Sequence, residues 1–359
     1  MDLGELTTAE APGRTDQTAD TSVESDEAYT RSEARQLRRA DLRGSDLRGE
    51  DLRGANLEFA KLTDACLVGA DLTGANLMRS ELDGADLSDA VLTGASLANA
   101  SLRGASLRRA GLTSAKIEKA DMDSADLSGA DLRACRAEGV NLDRAHFDAA
   151  KLRSADFRSA SLRFADLAGA TCVYADFRAA NLRGADLRAD LTEASLSGAI
   201  LAGADLSGAQ LTKAALQRTD LTEATLDGAV VERASLRHAT LIDVHARGTS
   251  FRDADLFCAD LTGALLRGAL LHGTQLERAT LCNADLRGCI VTGADVSGAT
   301  FGGTILDDLD LAGLVNLDDA VHLTESTVGA NVILAARRGA SARITAFVRS
   351  CGVDAALLA

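Results

Sequence analysis

The sequence predicts an all-β solenoid, a rod of short extended segments joined by corners, and three observations predict it. First, a large apolar residue recurs every five positions. From Leu42 to Leu187 there are 30 such centres, 23 of them Leu, with Ile117, Met122, Phe147, Phe157 and Phe177 as close substitutes and only Ala137 and Cys172 small. From Leu191 to Leu311 there are 25 more, of which only Ala246 is small. Second, the position two residues before each centre is mostly Ala, as at Ala55, Ala60, Ala65 and Ala70, and its exceptions are small or apolar apart from Glu50. Third, aromatic residues make up 3% of the 359 residues and Trp is absent. Leucine and alanine must therefore make the core, which implies a thin core repeated many times.

A period of five fits neither regular element. On an α-helix successive centres would advance by more than a full turn and wander around the axis. On a continuous strand every second centre would flip to the other face. The pattern works when each five-residue unit is a short extended piece followed by a corner. Positions i−2 and i then point inward on every side, and the corner resets the phase. The Gly and small polar residues that follow the centres supply the backbone freedom such corners need.

The run ADLRGSDLRGEDLRGANL, residues 40–57, resembles the pentapeptide-repeat family, whose unit is A(D/N)LXX. The resemblance covers residues 40–311 and implies a right-handed, four-sided parallel β-helix with short helical caps. Four units make a coil of about 20 residues, so the array holds about 13 to 14 coils and is roughly 65 Å long at ~4.8 Å per coil. Leu72, Leu127, Phe157, Leu187, Leu191 and Leu256 represent its inward centres. Each coil touches only its neighbours, so the rod needs stacking and closed ends. The residues that carry the resemblance are those that make the core, so it speaks to fold more than to function.

In chain order, residues 1–28 are acidic, rich in Thr, Ser and Asp and free of periodicity, which reads as a disordered tail. Residues 29–40 read as a capping helix, with Thr30 or Ser32 as N-cap and Ala34, Leu37 and Ala40 on one face. It would cover the strand edges of the first coil. The repeat β-helix follows over 41–313. Within it the beat slips once: Leu187 is followed by a centre at Leu191 rather than at 192. Read slot by slot, Arg188 is the first corner residue, Ala189 the next small inward residue and Asp190 an outward one. The missing residue is thus the second corner residue, whose loss turns no leucine outward, whereas a deletion inside the extended piece would. The expectation is an unbroken rod with a single coil one residue short, Ala189 and Leu191 buried, Arg188 and Asp190 exposed.

Residues 314–359 read as a helical C-terminal cap. TESTVGANVILAARRG and ASARITAFVRSCG each suggest a short helix, the second with Ile344, Phe347 and Val348 on one face and Gly352 as its end. With LVNLDDAVHL, STVGANVI and FVRSCGV, this segment resembles the one that closes pentapeptide arrays in some bacterial proteins bearing a Toll/interleukin-1-receptor domain. In those proteins the signalling domain follows shortly afterwards; here the sequence stops at Ala359, so the expectation is that any such effector is a separate polypeptide.

Charge and composition bound the function. The net charge is −15, of which −6 lies in residues 1–36, so direct nucleic-acid binding, which rests on basic groups, is not expected. The seven cysteines (66, 135, 172, 258, 282, 289 and 351) include no CxxC pair and read as free thiols of a cytoplasmic protein. No signal peptide and no membrane span is expected. His146, His238, His245 and His272 fall on outward positions of different sides and coils, which does not suit a metal site. A flat-sided rod without inserted loops offers no cleft to desolvate a Ser–His–acid set. No catalytic, cofactor-binding or metal-ligating residue is therefore assigned.

Two functions remain. One is a non-enzymatic scaffold that presents flat faces to a protein partner, with homodimerisation through an end cap as a further reading. The other comes from the resemblance: some family members bind DNA gyrase by matching a duplex in width, shape and negative charge. Here Arg43, Arg48, Arg53, Arg103, Arg108, Arg163, Arg183 and Arg188 dilute the acidity, and the loops that mark quinolone-resistance members are absent.

Overall fold

The computed structural model describes residues 35–337 and 342–358. The tail assigned to 1–28 and the first part of the helix expected over 29–40 lie outside the described residues. From Gln36 onward one residue in every five forms a parallel bridge, and its partner lies four units further along the chain: Asp41 with Lys61, Lys61 with Glu81, Asp46 with Cys66. These bridges stack into four ladders, designated here by their first rungs as sides 1 (Gln36), 2 (Asp41), 3 (Asp46) and 4 (Asp51). The extended pieces are single-residue bridges rather than strands. Among the described residues, two-residue strands occur only near the C-terminal end.

Four of the five backbone N–H groups of a typical unit are met by the backbone, and in many units a side chain meets the fifth. In the unit around Leu42, Leu42 donates to Lys61 O at 2.7 Å, Gly44 to Thr63 O at 2.9 Å and Ser45 back to Leu42 O at 3.2 Å, closing the corner as a β-turn. In the rung above, Lys61 donates to Ala40 O at 2.9 Å. The fifth donor, the first corner residue, is met by a side chain: Arg43 N donates to Asp41 Oδ1 at 3.5 Å, and Thr73 N to Asp71 Oδ1 at 2.9 Å. That is an Asx turn, and it explains why Asp or Asn stands before so many centres. Where that slot lacks a carboxylate, the rung below can supply one, as when Arg103 N donates to Asp83 Oδ1 at 3.0 Å.

Leu72, Leu127, Phe157, Leu187, Leu191 and Leu256 are all buried in one continuous core with the alanine slots. Small centres neighbour large ones, which keeps the interior filled. Cys172 is followed by Phe177 and Ala246 by Phe251, and the Phe157 and Phe177 rings stack at 5.3 Å on side 1. Where Thr replaces Ala its buried hydroxyl donates to a carbonyl of the coil below, as Thr249 does to Leu226 O at 2.6 Å. An inward hydroxyl is thereby satisfied.

Residues 35–40 do not form the expected helix. Gln36 bridges to Asn56, Leu37 is buried as a first centre and Arg39 takes a corner φ of 60°. Leu37 stands five residues before Leu42, so its side chain extends the core, which outweighs the local helical pattern.

At the slip the ladders stay parallel and unbroken. Thr171 pairs with Asp190, Asp176 with Ser195, Asn181 with Ile200 and Asp186 with Asp205, each pair one residue closer in sequence than elsewhere, before Asp190 with Gln210 restores the full four-unit spacing. The corner closes differently: Ala189 N donates to Leu187 O at 2.7 Å, a three-residue γ-turn in place of the four-residue β-turn. Leu187 and Leu191 are fully buried, Ala189 is buried and Arg188 is exposed. Asp190, expected to be exposed, is half-buried, because its carboxylate folds back onto the N–H of Thr192 at 3.1 Å.

Pairing also runs past the boundary expected at 313. Asp295 pairs with Val315 at the regular four-unit spacing. Strands β1 (Thr300–Phe301) and β3 (Val321–His322) pair at one residue more than that spacing, and β2 (Ile305–Leu306) and β4 (Thr327–Val328) at two more, so the final coil is stretched. Helices α1 (Ala330–Arg337), α2 (Ala342–Ser350) and α3 (Ala355–Leu358) follow. Helix α2 buries Ile344, Phe347 and Val348, and the Phe347 ring meets Phe301, a late centre, edge-on at 5.3 Å. Gly352, at φ 93°, ends this segment. No helix among the described residues is long and apolar enough to cross a membrane.

Candidate interaction surface

The rod offers columns of outward side chains at fixed spacing. Much of the Asp on these columns is engaged locally. Asp46 accepts from the guanidinium of Arg48 at 2.9 and 2.6 Å, and the same pairing recurs in Asp41–Arg43, Asp51–Arg53, Asp131–Arg133 and Asp186–Arg188. These bonds hold the Asp41, Asp46 and Asp51 carboxyls down to about 2. Asp143 on side 2 is buried, and the Arg163 guanidinium, Ser161 hydroxyl and Arg163 N–H hold its carboxyl below the usual range against burial.

The charge is unevenly distributed along the rod. Residues 35–188 carry 23 acidic and 23 basic side chains, whereas residues 189–310 carry 17 acidic against 9 basic. The γ-turn at the slip is therefore also where the rod changes from neutral to acidic.

The corners carry a second irregularity. Their second residue has positive φ, which Gly adopts without strain and a bulky side chain rarely does. Phe164 (φ 57°) and Tyr174 (φ 60°) occupy this slot in the coil just before the slip. Tyr174 lies under Arg153, whose guanidinium is 5.0 Å from the ring centre. Phe164 remains 63% exposed and leans over Gly184, where a Cβ would stand 2.7 Å from its ring. Its combination of positive φ with a large exposed ring makes Phe164 a candidate contact residue. Sequence reasoning passed over Phe164 and Tyr174 alike, although an aromatic in a slot held mostly by Gly and by polar or charged residues such as Ser124, Arg109 and Lys119 was a visible signal, shared by Phe59 (φ 59°).

The cap holds a cleft of about 460 Å³, lined by Leu317, Asp318, His322, Arg343, Phe347 and Ser350 among others. His322 lies between the Phe301 and Phe347 rings, with Nδ1 3.8 Å from the Cys351 sulfur. Burial lowers the imidazole's pKa and pushes the Cys351 thiol up to about 12. A thiol so held stays protonated and is no nucleophile. The structure leaves His146, His238, His245 and His272 on four well-separated rungs, and among the described residues no three His, Cys, Asp or Glu side chains are grouped to hold a metal ion.

Comparison with known proteins bears on these surfaces. The family described as pentapeptide repeats matches in eight copies over residues 36–74, 55–94, 90–129, 125–163, 160–188, 189–228, 234–273 and 264–303, two of which abut at the slip. Among solved structures, the chain is similar to HetL, a pentapeptide repeat protein involved in heterocyst differentiation regulation from the cyanobacterium Nostoc sp. strain PCC 7120. That match has 31% identity, covers 61% of this chain and 88% of HetL, and has a TM-score of 0.29. It is also similar to QnrB1, a plasmid-mediated fluoroquinolone resistance protein, at 23% identity over 62% of this chain and 89% of QnrB1, TM-score 0.31. A pentapeptide repeat protein of the Arabidopsis thaliana thylakoid lumen matches at 35% identity over 25% of this chain and 63% of its own, TM-score 0.20. No curated protein matches.

Proposed function

Because the chain belongs to the pentapeptide-repeat family, we propose that it is a non-enzymatic rod, a right-handed four-sided β-helix that presents flat faces to a protein partner. The observation that carries this is the set of four ladders, which hold outward side chains in fixed columns from Gln36 to Val315. A solenoid of this kind binds through extended surfaces. The exposed corner aromatic Phe164 and the arginines around it have the composition of binding hot spots. The segment after residue 313, a last stretched coil followed by helices α1 to α3, closes the end and, by its likeness to the closing segment of arrays beside Toll/interleukin-1-receptor domains, belongs to a cytoplasmic signalling setting.

The test is affinity capture from the source cytosol by the intact chain and by its Phe164→Gly variant, with cross-links mapped by mass spectrometry. The reading expects a protein cross-linked to a side of the rod and weakened by the variant. Cross-links confined to residues 314–359, and unaffected by the variant, would refute binding by the faces.

A DNA-mimicking role toward gyrase is favoured by one observation, the excess of eight acidic side chains in residues 189–310. That segment is about six coils, or ~29 Å, so it carries one net charge per ~3.6 Å against one per ~1.7 Å of duplex. Mimicry would thus be confined to the C-terminal half, at about half the duplex's charge density. It requires inhibition of gyrase supercoiling that is relieved by salt; inhibition indifferent to salt would rule it out.

A further inference from the structure

Over the seven rungs centred on Ile200, from rung 141 to rung 260, side 2 is divided by charge. Over rungs 141 to 181, just below the slip, it carries Arg144, Arg163 and Arg183, all exposed; Arg144 is paired with Asp123 of the rung below and Arg163 with the buried carboxylate of Asp143. Arg183 makes no ion pair among the described residues. Two rungs above it begin Asp220, Glu223, Asp243 and Asp260, and none of these four is ion-paired among the described residues. No Lys or Arg lies on this side from rung 200 to rung 300. The other three sides differ, since each mixes both signs over the same coils: Arg247 with Asp227 on side 3, Arg233 with Asp253 on side 4, Arg237 with Asp255 on side 1. Between the two halves of side 2 lie exposed Ile200, buried Ala202 and Gly203, with Phe164 and Gly184 at the neighbouring corner column.

We infer that side 2 is a self-complementary face through which a second copy of this chain docks antiparallel. A two-fold axis lying across the face at the Ile200 rung inverts the order of the rungs. It sets rung 181 opposite rung 220, rung 161 opposite rung 240 and rung 141 opposite rung 260. The arginine half of each copy then faces the carboxylate half of the other, around an apolar centre, twice over. This is the arrangement of an isologous dimer. It rests on the reading of the sides as protein-binding surfaces and names one such side and its partner.

The size of the face sets the strength. Seven rungs at ~4.8 Å give a length of roughly 34 Å, and the four residue-to-residue steps of a five-residue side at ~3.3 Å a width of about 13 Å. Two copies would bury roughly 900 Å², below the ~1,200–2,000 Å² of stable complexes. The dimer is therefore weak, reversible and dependent on charge.

Sedimentation velocity on the full chain over a wide concentration range, at low and at high salt, reads this directly. The expected result is a monomer–dimer equilibrium that weakens about tenfold or more when salt screens the face. Two exposed charge reversals sharpen it: Arg144→Glu with Arg183→Glu leaves Arg163, paired with Asp143, as the one cation of an otherwise acidic face, and Glu223→Arg with Asp243→Arg makes the face largely basic. Each variant alone should remain monomeric, and an equimolar mixture should form the heterodimer. Circular dichroism melts of both variants check that they fold. A folded chain that is monomeric at every concentration overturns the dimer but leaves capture of another protein by the sides intact. A dimer insensitive to both reversals, or one lost only when the cap is altered at Phe347, also overturns it and assigns association to the rod's end.

Discussion

Inserting a single glycine at two neighbouring places tests how the rod survives its missing residue. Placed after Arg188, the glycine restores the second corner residue. The γ-turn closed by Ala189 N to Leu187 O then becomes a β-turn like that of the preceding corner, where Ala185 N meets Leu182 O at 3.1 Å. The new N–H can donate to Ser207 O, as Gly184 N donates to Ala202 O at 3.0 Å one corner earlier. One backbone hydrogen bond adds about 0.5–1.5 kcal/mol, and ordering one residue costs about 1–2 kcal/mol, so the change should lie within about 1 kcal/mol of zero.

Placed between Ala189 and Asp190, the same glycine enters the extended piece. Either Ala189 leaves the core or the segment bulges, and three bonds are then out of register: Asp190 N to Ala170 O, Leu191 N to Gln210 O and Gln210 N to Ala189 O. At about 1 kcal/mol each, with the packing around Leu191 disturbed, the loss is about 3–4 kcal/mol. Because a solenoid unfolds by neighbouring units, native-state hydrogen exchange is the assay. The amides of Asp190, Leu191 and Gln210 should stay protected in the first variant and lose about two to three orders of magnitude of protection in the second. Equal loss in both variants would refute the assignment of the missing residue to the corner.

Two further outcomes are expected. The Asp46 carboxyl, depressed from 3.8 to about 2 by Arg48, contributes stability that is present above pH 4 and lost as pH falls toward 2; Arg48→Met should return its NMR-detected titration to near the ordinary value, and an unmoved pKa would discount the pair. Phe347→Ala in α2 should cost about 3–5 kcal/mol locally and uncover Phe301, seen as increased dye binding and faster exchange in β1 and β3 with the coils below residue 280 unchanged; uniform loss along the rod would contradict independent coils.

What could be read from the sequence alone was whatever repeats. A centre every five residues with a small residue two before it determines inward positions, because a corner after each short extended piece is the arrangement that keeps Leu and Ala inside on every side. The slip could be placed to the residue because only the corner slot tolerates deletion. What the tertiary structure decided lies where the repeat meets something outside itself. Residues 35–40 look helical in isolation, yet Leu37 has a place in the core and Gln36 a partner at Asn56, so the coil extends over them. The last coil lengthens by one residue and then by two to meet the cap, which no period reveals. The halves of side 2 lie far apart in sequence, with Arg144 and Asp260 more than a hundred residues from each other. Only winding the chain four units per coil, with one residue dropped at the slip, brings every fourth unit onto one face and makes its division of charge physical.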